Sequence, residues 1–373
     1  MSRAPPVRII PIWLRGLNDV TLLDQTLAAI APLDRDAEAA AAARLDSLTK
    51  PPGSLGRLEE IVRRVAAIRG DGWLTRGRGA ITLFAADHGV AAAGVSAYPQ
   101  AVTVEMLRNI GAGGAAICVL ARRFGYELIV TDVGVATDTS AAPLPGVRYR
   151  RVAAGTRNFV EMAAMERDEA RRALEIGIET AQTAVDAGAT LIGIGEMGIA
   201  NSTPAAAILA SSTGIEPARI AGRGSGLDDA GMRRKVAAIE AALARHREEL
   251  RDGVALIAAL GGYEIAAMAG VCIGGAAMHV PVVVDGFIAT AAAAAAGQLY
   301  PGICDYLFFS HRSAEGGHQL ALAALGVNAL LDLGMRLGEG TGAAFAMSII
   351  ENALALCREM ATFADAGVSG KVE

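Results

Sequence analysis

Two glutamates set in glycine-rich turns are the residues best suited to chemistry in this sequence. Glu196 lies within Gly193-x-Gly195-x-x-Gly198, and Glu339 stands between Gly338 and Gly340. Glycines let a backbone approach a ligand closely, and a carboxylate can accept a proton or stabilise a developing positive charge. For Glu339 a purely structural alternative is an acid favoured by the dipole at the start of the next helix.

The spacing around Glu196 also matches the loop that binds a dinucleotide pyrophosphate. Two features argue against that function. Glu196 would face the incoming phosphate, and like charges at that range repel. The next helix is predicted to begin near Pro204, which leaves a loop where a dinucleotide fold needs a helix start. A carboxylate here is better suited to ribose hydroxyls or to a developing cation.

The segment AGRGSGLDD (221–229) is a second glycine-rich stretch. Such a loop can present backbone N–H groups to a phosphate, and Lys235 could reach the same anion from the following helix. A flexible loop without a ligand is the alternative.

SHRSAEGGH (310–318) contains two histidines and a glutamate that could bind a metal if they shared one helical face. A Gly-Gly pair breaks such a helix, and the HExxH order is absent. A helix-start or anion-binding loop that uses Ser310 and Ser313 is favoured, and no metal is predicted. Asp87 and His88 could form a catalytic pair, but no nucleophile accompanies them, so loop architecture is the first interpretation.

The elements that must position these residues are short apolar runs rich in β-branched residues. Each run is continuous rather than alternating, which is typical of parallel strands buried on both faces. Helical segments separate them, the clearest being 165–188, which Gly188 ends. We predict an α/β fold: a Rossmann-like parallel sheet with helices on both faces, which binds ligands at the carboxyl ends of its strands. The predicted strands lie at 81–89, 127–134, 189–195, 280–286 and 306–311.

Both ends of the chain are predicted to be helical. The first fifty residues suggest two helices broken near Pro32, the second starting at Asp34 or Asp36, and 343–367 suggests one helix. We expect the ends to form a small helical domain from residues 1–50 and 345–373. Residues 51–344 would form the large α/β catalytic domain.

Composition excludes several classes of protein. A net charge of -5 and a pI near 5.7 argue against a nucleic-acid-binding surface. The four cysteines are far apart, without a CxxC pair, which fits a reducing cytoplasm. The N-terminus lacks the apolar segment of a signal peptide. The uncharged run 265–284 is interpreted as a buried helix leading into a strand rather than a membrane span.

Several of these motifs belong to an ordered set that resembles nicotinate-nucleotide–dimethylbenzimidazole phosphoribosyltransferases. The likeness runs from about residue 20 to 360, so we expect the first twenty residues to be an extension that precedes the region shared with the family. The motifs are LTKPPGSLGRLE (48–59), ADHGV (86–90), GVSAYPQAVT (94–103), GIGEMGIANSTPAAA (193–207), GGYEIAAMAG (261–270), DGFIATAAA (285–293), SHRSAEGGH (310–318) and MRLGEGTGAA (335–344).

The resemblance implies a reaction and an assembly. The family transfers the phosphoribosyl group of nicotinate mononucleotide to 5,6-dimethylbenzimidazole, releasing nicotinate and giving α-ribazole 5′-phosphate for the lower ligand of cobalamin. Its fold is a Rossmann-type sheet with a small helical domain from both termini, in a homodimer. No metal or organic cofactor is implied.

The resemblance also assigns roles to individual residues. Glu339 would be the general base. Tyr98 and Met106 match positions that vary among relatives, so the reaction is better defined than the acceptor base. The remaining roles are Glu196 and Gly198 at the ribose, Gly224, Lys235 and Ser313 at the phosphate, and Tyr98, Met106 and Leu337 around the benzimidazole.

Three alternatives remain open at this stage. The first is a phosphoribosyltransferase with another acceptor, such as adenine or a phenol. The second is an NAD-dependent oxidoreductase. The third, a non-catalytic nucleotide-binding relative, is disfavoured because Glu196 and Glu339 are both present.

Overall fold

A six-stranded parallel sheet forms the centre of the protein, in a computed structural model that describes residues 20–139 and 142–369. The strand order is β3-β2-β1-β4-β5-β6, and every neighbouring pair is parallel. This confirms the predicted α/β class. The strands are β1 Arg78–Ala86, β2 Glu127–Gly134, β3 Val147–Tyr149, β4 Ala189–Met197, β5 Val282–Val284 and β6 Leu307–Phe309.

Five strands agree with the predicted runs, and β3 is the one that the sequence did not reveal. It has three residues, an exposed arginine at its centre, and no buried side chain. It pairs with β2 at the edge of the sheet. A strand this short and this polar forms because the β2 edge is available to it, not because of its own pattern.

Fifteen α-helices surround the sheet in the described ranges. They are α1 Leu22–Ala28, α2 Arg35–Ser47, α3 Arg57–Arg69, α4 Val102–Gly111, α5 Ala116–Phe124, α6 Arg167–Asp186, α7 Ser202–Thr213, α8 Pro217–Ile220, α9 Asp229–Arg245, α10 Gly253–Leu260, α11 Tyr263–Ala277, α12 Phe287–Leu299, α13 His318–Ala324, α14 Thr341–Glu359 and α15 Phe363–Ala366. Helices α6, α11 and α12 form one layer against the sheet. Helices α14 and α5 pack against each other and also lie on the sheet.

Helix α11 explains the long uncharged run. All of its residues are buried, and it leads into β5, as predicted. It crosses α6 so closely that a Cβ on Gly177 would lie 1.9 Å from the carbonyl oxygen of Ala267, and one on Gly270 would lie 2.0 Å from that of Leu174. The abundance of small residues is therefore a packing requirement of this helix pair.

A different stretch of the described chain, Val102–Phe124, is the one that is long and apolar enough to cross a membrane by length and composition, with a mean hydropathy of 1.3. It contains two helices, because α4 ends at Gly111 and α5 begins at Ala116. The turn between them interrupts the continuous helix that a span requires.

The N-terminal prediction of two helices is confirmed, with Asp34 accepting the N–H of Ala37 at the start of α2. The prediction of one C-terminal helix is wrong, since α14 ends at Glu359 and α15 begins only at Phe363. The chain leaves the helix between them because Leu48 and Thr362 form an antiparallel bridge.

The two ends of the chain do contact each other. Arg44 on α2 donates hydrogen bonds to the carbonyl oxygens of Cys357 and Met360. Helix α14 also lies on β4, so the same helix contacts both the sheet and the N-terminal helices. The division into residues 1–50 with 345–373 and 51–344 stays a prediction, and the proposed N-terminal extension falls outside the described residues.

Candidate active site

A cavity of about 370 Å³ opens at the carboxyl ends of the central strands, where the fold predicts a ligand site. Glu196 comes from the end of β4, Asp285 follows β5, and His311 follows β6. The remaining walls come from loops far apart in the sequence. Of the predicted site residues, six line the cavity: Tyr98, Glu196, Gly198, Gly224, Ser313 and Leu337.

Glu196 is a buried carboxylate surrounded by other acids. Asn201 donates a hydrogen bond to its Oε2 atom. Burial raises the pKa of Glu196 to about 8, and the nearby acids Glu264, Asp285 and Glu339 contribute to that rise. Glu196 is therefore protonated at neutral pH, and a cation placed beside it would favour the carboxylate.

The backbone at Glu339 is strained. Its φ is +63°, between +89° at Gly338 and +85° at Gly340, a region that non-glycine residues rarely adopt. A Cβ on Gly338 would lie 2.3 Å from Oε1 of Glu196, so glycine is required to bring the two acids together. Strain of this kind is characteristic of functional sites.

The Glu339 side chain is 5% exposed, and its Oε2 atom has no hydrogen-bond partner. Burial raises its pKa, and the backbone N–H of Ile117 at the start of α5 partly offsets this. Glu339 is not among the residues that line the cavity, but its neighbours Leu337 and Gly338 are. An unpartnered buried carboxylate oxygen is available to accept a proton from a ligand.

Asp285 holds the turn that carries Glu339. Its carboxylate oxygens accept the N–H groups of Gly340 at 3.1 Å and Ala343 at 2.9 Å, which fixes the start of α14. Burial raises the pKa of Asp285 to about 7, while these backbone donors lower it. Asp285 is the first residue of the DGFIATAAA motif, but the sequence assigned it no role.

Lys235 lies in a cluster suited to an anion. It is fully buried, and its Nζ atom donates to Ser202 Oγ at 2.9 Å and to the carbonyl oxygen of Gly222 at 2.8 Å. Burial lowers the pKa of Lys235 to about 8. A Cβ on Gly224, where φ is +54°, would lie 2.8 Å from Ser202 Oγ.

Ser202 was missed because α7 begins two residues earlier than predicted, which places its hydroxyl beside Lys235. The early helix start also removes one of the two arguments raised against a dinucleotide loop. The position of Glu196 remains the stronger argument.

Ser313 is positioned by His318. The Ser313 N–H donates to Nδ1 of His318 at 2.8 Å, and Nε2 of that ring lies 2.9 Å from Thr290 Oγ1. Thr290 donates its own proton to the carbonyl oxygen of Gly286, so Nε2 is the donor and the ring is neutral. Burial lowers the pKa of His318 to about 3.

Both ring nitrogens of His318 are thus engaged in hydrogen bonds. Within residues 20–139 and 142–369, no group of three or more His, Cys, Asp or Glu side chains is arranged to hold a metal ion. The loop 310–317 precedes α13 and is not helical, so His311, Glu315 and His318 do not share one helical face.

The predicted acceptor residues are only partly brought together. Tyr98 and Leu337 line the cavity with more than half of each side chain exposed. Met106 is half-buried on α4 and lies outside the cavity lining. The same helix still contacts the site, since Thr103 Oγ1 accepts the N–H of Ile199 at 3.0 Å.

Asp87 and His88 have separate partners. Asp87 accepts the N–H of Ala136 at 2.8 Å, and His88 Nε2 lies 2.8 Å from Glu264 Oε1 in a fully buried pair. A Cβ on Gly198 would lie 3.3 Å from that histidine nitrogen, so the pair lies directly beneath the Glu196 loop. This agrees with loop architecture as the interpretation of the DHG motif.

The cavity lies at the strand ends of a parallel sheet, next to a buried lysine, a glycine-rich loop and buried acids, an arrangement suited to a ligand that contains a phosphate and a sugar. A family model described as a phosphoribosyltransferase matches residues 30–368. The fold and the site therefore define a phosphoribosyltransferase.

Relatives specify the family further. A nicotinate-nucleotide–dimethylbenzimidazole phosphoribosyltransferase of Chloroflexus aggregans is 50% identical over 354 residues, covering 95% of this chain and 100% of that protein. One from Chromobacterium violaceum is 52% identical over 340 residues, covering 91% and 98%. A crystal structure of that enzyme from Thermus thermophilus is 44% identical, with a TM-score of 0.84, and covers 91% of this chain and 100% of the solved chain.

The chain belongs to the nicotinate-nucleotide–dimethylbenzimidazole phosphoribosyltransferase family, and it is a pentosyltransferase. The resemblance drawn from the eight motifs is confirmed. The family is one of transferases, not of NAD-dependent oxidoreductases.

Proposed function

We propose that this enzyme transfers the phosphoribosyl group of nicotinate mononucleotide to 5,6-dimethylbenzimidazole. The products are nicotinate and α-ribazole 5′-phosphate, a precursor of the cobalamin lower ligand. The observation that carries the proposal is the cavity at the strand ends, whose lining includes Ser202, the partner of Lys235, and the buried acids Glu196 and Asp285. The names of relatives at about 50% identity support the same pair of substrates.

The donor would bind with its 5′-phosphate at the Lys235 cluster. Gly224 and Ser313 line the cavity beside Ser202, the hydroxyl that Lys235 contacts. The ribose would then extend toward Glu196 and Gly198. This orientation puts the sugar carbon C1′ near the buried acids.

Glu196 would stabilise the transition state of bond cleavage. Loss of nicotinate leaves positive charge on C1′, and a carboxylate in a water-poor site stabilises such charge strongly. The cationic pyridinium of the donor favours loss of the Glu196 proton on binding, because an opposite charge lowers a carboxyl pKa. The donor would thereby generate the charged form that the reaction needs.

Glu339 would act as the general base. Benzimidazole becomes a better nucleophile as its N–H proton is removed, and burial makes Glu339 a stronger base than an exposed glutamate. Attack from the face opposite the leaving nicotinate inverts the anomer from β to α. The sequence predicts no metal or organic cofactor for this step.

The acceptor pocket and the assembly belong to the proposal as well. Tyr98, Met106 and Leu337 would surround the benzimidazole, and adenine or a phenol is the alternative acceptor. A homodimer in the cytoplasm is proposed from the family resemblance. The absence of disulfides among the four cysteines, all of which lie in the described ranges, supports a reducing compartment.

A product assay tests the reaction. The enzyme is incubated with nicotinate mononucleotide and 5,6-dimethylbenzimidazole, and the products are separated by chromatography and identified by mass spectrometry. We expect nicotinate and a benzimidazole nucleotide in equal amounts. If nicotinate forms without that nucleotide, the proposed donor is correct and the proposed acceptor is wrong. If neither product forms, the proposal is contradicted.

A further inference from the structure

Glu315 occupies the contacts that a bound phosphate would take. Its Oε1 atom accepts the backbone N–H of Gly224 at 2.8 Å and lies 4.0 Å from Lys235 Nζ. The residue is only 9% exposed, and it is one of the residues that line the cavity. An acid in this position is unexpected, because the cluster is otherwise suited to an anionic ligand.

The surrounding backbone is shaped to admit this side chain. A Cβ on Gly222 would lie 2.2 Å from Glu315 Oε1, so only glycine leaves room for it. The Glu315 N–H also donates to Ser313 Oγ at 3.2 Å, which leaves the Ser313 hydroxyl proton free for a ligand. The carboxylate is therefore a built part of the anion cluster.

Lys235 retains capacity for another anion. An ammonium has three N–H donors, and two of them are directed at Ser202 and Gly222. The third is not satisfied by Glu315, because 4.0 Å is too long for a hydrogen bond. The charge of Lys235 is thus only partly compensated.

We propose that Glu315 is an internal anion: in the ligand-free enzyme its carboxylate accepts the Gly224 N–H and partly compensates the charge of Lys235, and the 5′-phosphate displaces it from this position on binding. The identity of that ligand rests on the proposed function. Glu315 opposes the phosphate of the donor and of the product nucleotide equally. Such uniform weakening of binding raises KM without impairing the chemical step, and it speeds release of the product.

Glu315→Gln tests this directly, because the amide oxygen can still accept the Gly224 N–H while the charge is lost. Binding of inorganic phosphate is measured by calorimetry for the wild type and the variant, followed by KM for nicotinate mononucleotide. We expect both the Kd for phosphate and the KM to fall about tenfold, a modest share of the Coulomb energy at 4 Å. The rate constant kcat should not rise.

Glu240→Gln is the matched control, since it removes the same charge from the exposed face of α9. It should change neither quantity. Unchanged or weaker phosphate binding by Glu315→Gln would overturn the proposal, because it would make the carboxylate a support for the loop. Phosphate binding needs no turnover, so this result is independent of the product assay.

A crystal structure of the wild type soaked in phosphate provides the second measurement if the variant does not fold. The expected result is a phosphate bound to the Gly224 N–H with Glu315 turned away. A phosphate bound elsewhere, or Glu315 still on the Gly224 N–H, would overturn the proposal.

Discussion

At the scale of single residues, the site depends on acids that burial keeps out of water. Glu339 combines an unusual backbone conformation with an unpartnered carboxylate oxygen. Lys235 is a cation whose pKa burial has lowered toward the physiological range. An exposed glutamate or lysine would have neither the unpartnered carboxylate oxygen of Glu339 nor the lowered pKa of Lys235. Each property can be tested by a substitution.

Glu339→Gln should retain the fold and lose most of the turnover. Glutamine has the same size and the same backbone preferences, so the strained turn remains, but the amide cannot accept the benzimidazole proton. We expect kcat to fall about 10²–10⁴-fold, the usual contribution of a general base. Circular dichroism checks folding, and activity near that of the wild type would remove Glu339 from the mechanism.

Binding of the donor should weaken at alkaline pH. Burial lowers the pKa of Lys235 to about 8, so the ammonium is charged below that pH and neutral above it. An anionic phosphate then loses its cation, and KM for nicotinate mononucleotide should rise as the pH passes 8. Lys235→Met should show a high KM without this rise, and an identical profile for both proteins would exclude Lys235 as the titrating group.

At the scale of elements, the start of α14 is the feature that positions Glu339 in the site. The helix begins two residues after Glu339, and Asp285 at the end of β5 holds its first turn. One strand end thereby positions an acid that lies more than fifty residues away in the chain. The turn that carries Glu339 depends on this long-range anchor.

Asp285→Asn should lower activity through Glu339. An asparagine oxygen can accept only one set of backbone donors, so either the Gly340 or the Ala343 N–H loses its partner, at about 1–3 kcal/mol for a buried group. We expect kcat to fall more than KM rises, together with a lower Tm. Asp332→Asn, at an exposed ion pair with Arg312, is the control and should change little.

At the scale of the whole molecule, a protein that buries carboxyl groups should depend on pH in its overall stability. Glu196 has a pKa of about 8 in the folded protein, against an ordinary value of 4.5 for an exposed glutamate. Between these values the folded protein holds a proton that the unfolded chain has lost. Its contribution to stability is therefore greatest at low pH and declines as the pH rises toward 8.

Glu196→Gln should remove this dependence, because glutamine has no proton to lose. We expect the variant to gain stability relative to the wild type as the pH is raised from about 5 to 8, the interval between the two pKa values, with Tm measured by calorimetry at each pH. A constant difference in Tm across that range would show that Glu196 keeps its ordinary pKa.

The sequence alone determined which runs become buried strands, where the glycine-rich turns lie, and which reaction family the chain belongs to. These features are local, since a continuous apolar run or a motif such as GEMG needs only neighbouring residues to be recognised. The class of fold, five of the six strands and the family were therefore predictable.

Only the tertiary structure decided which residues meet in the site. Asp285 reaches Gly340, Lys235 reaches Ser202, and the bond from Gly224 to Glu315 joins segments ninety-one residues apart. The C-terminal helix is divided for the same reason, because a residue after α14 pairs with one near the other end of the chain. Such contacts depend on distances through space, and no spacing along the chain encodes them.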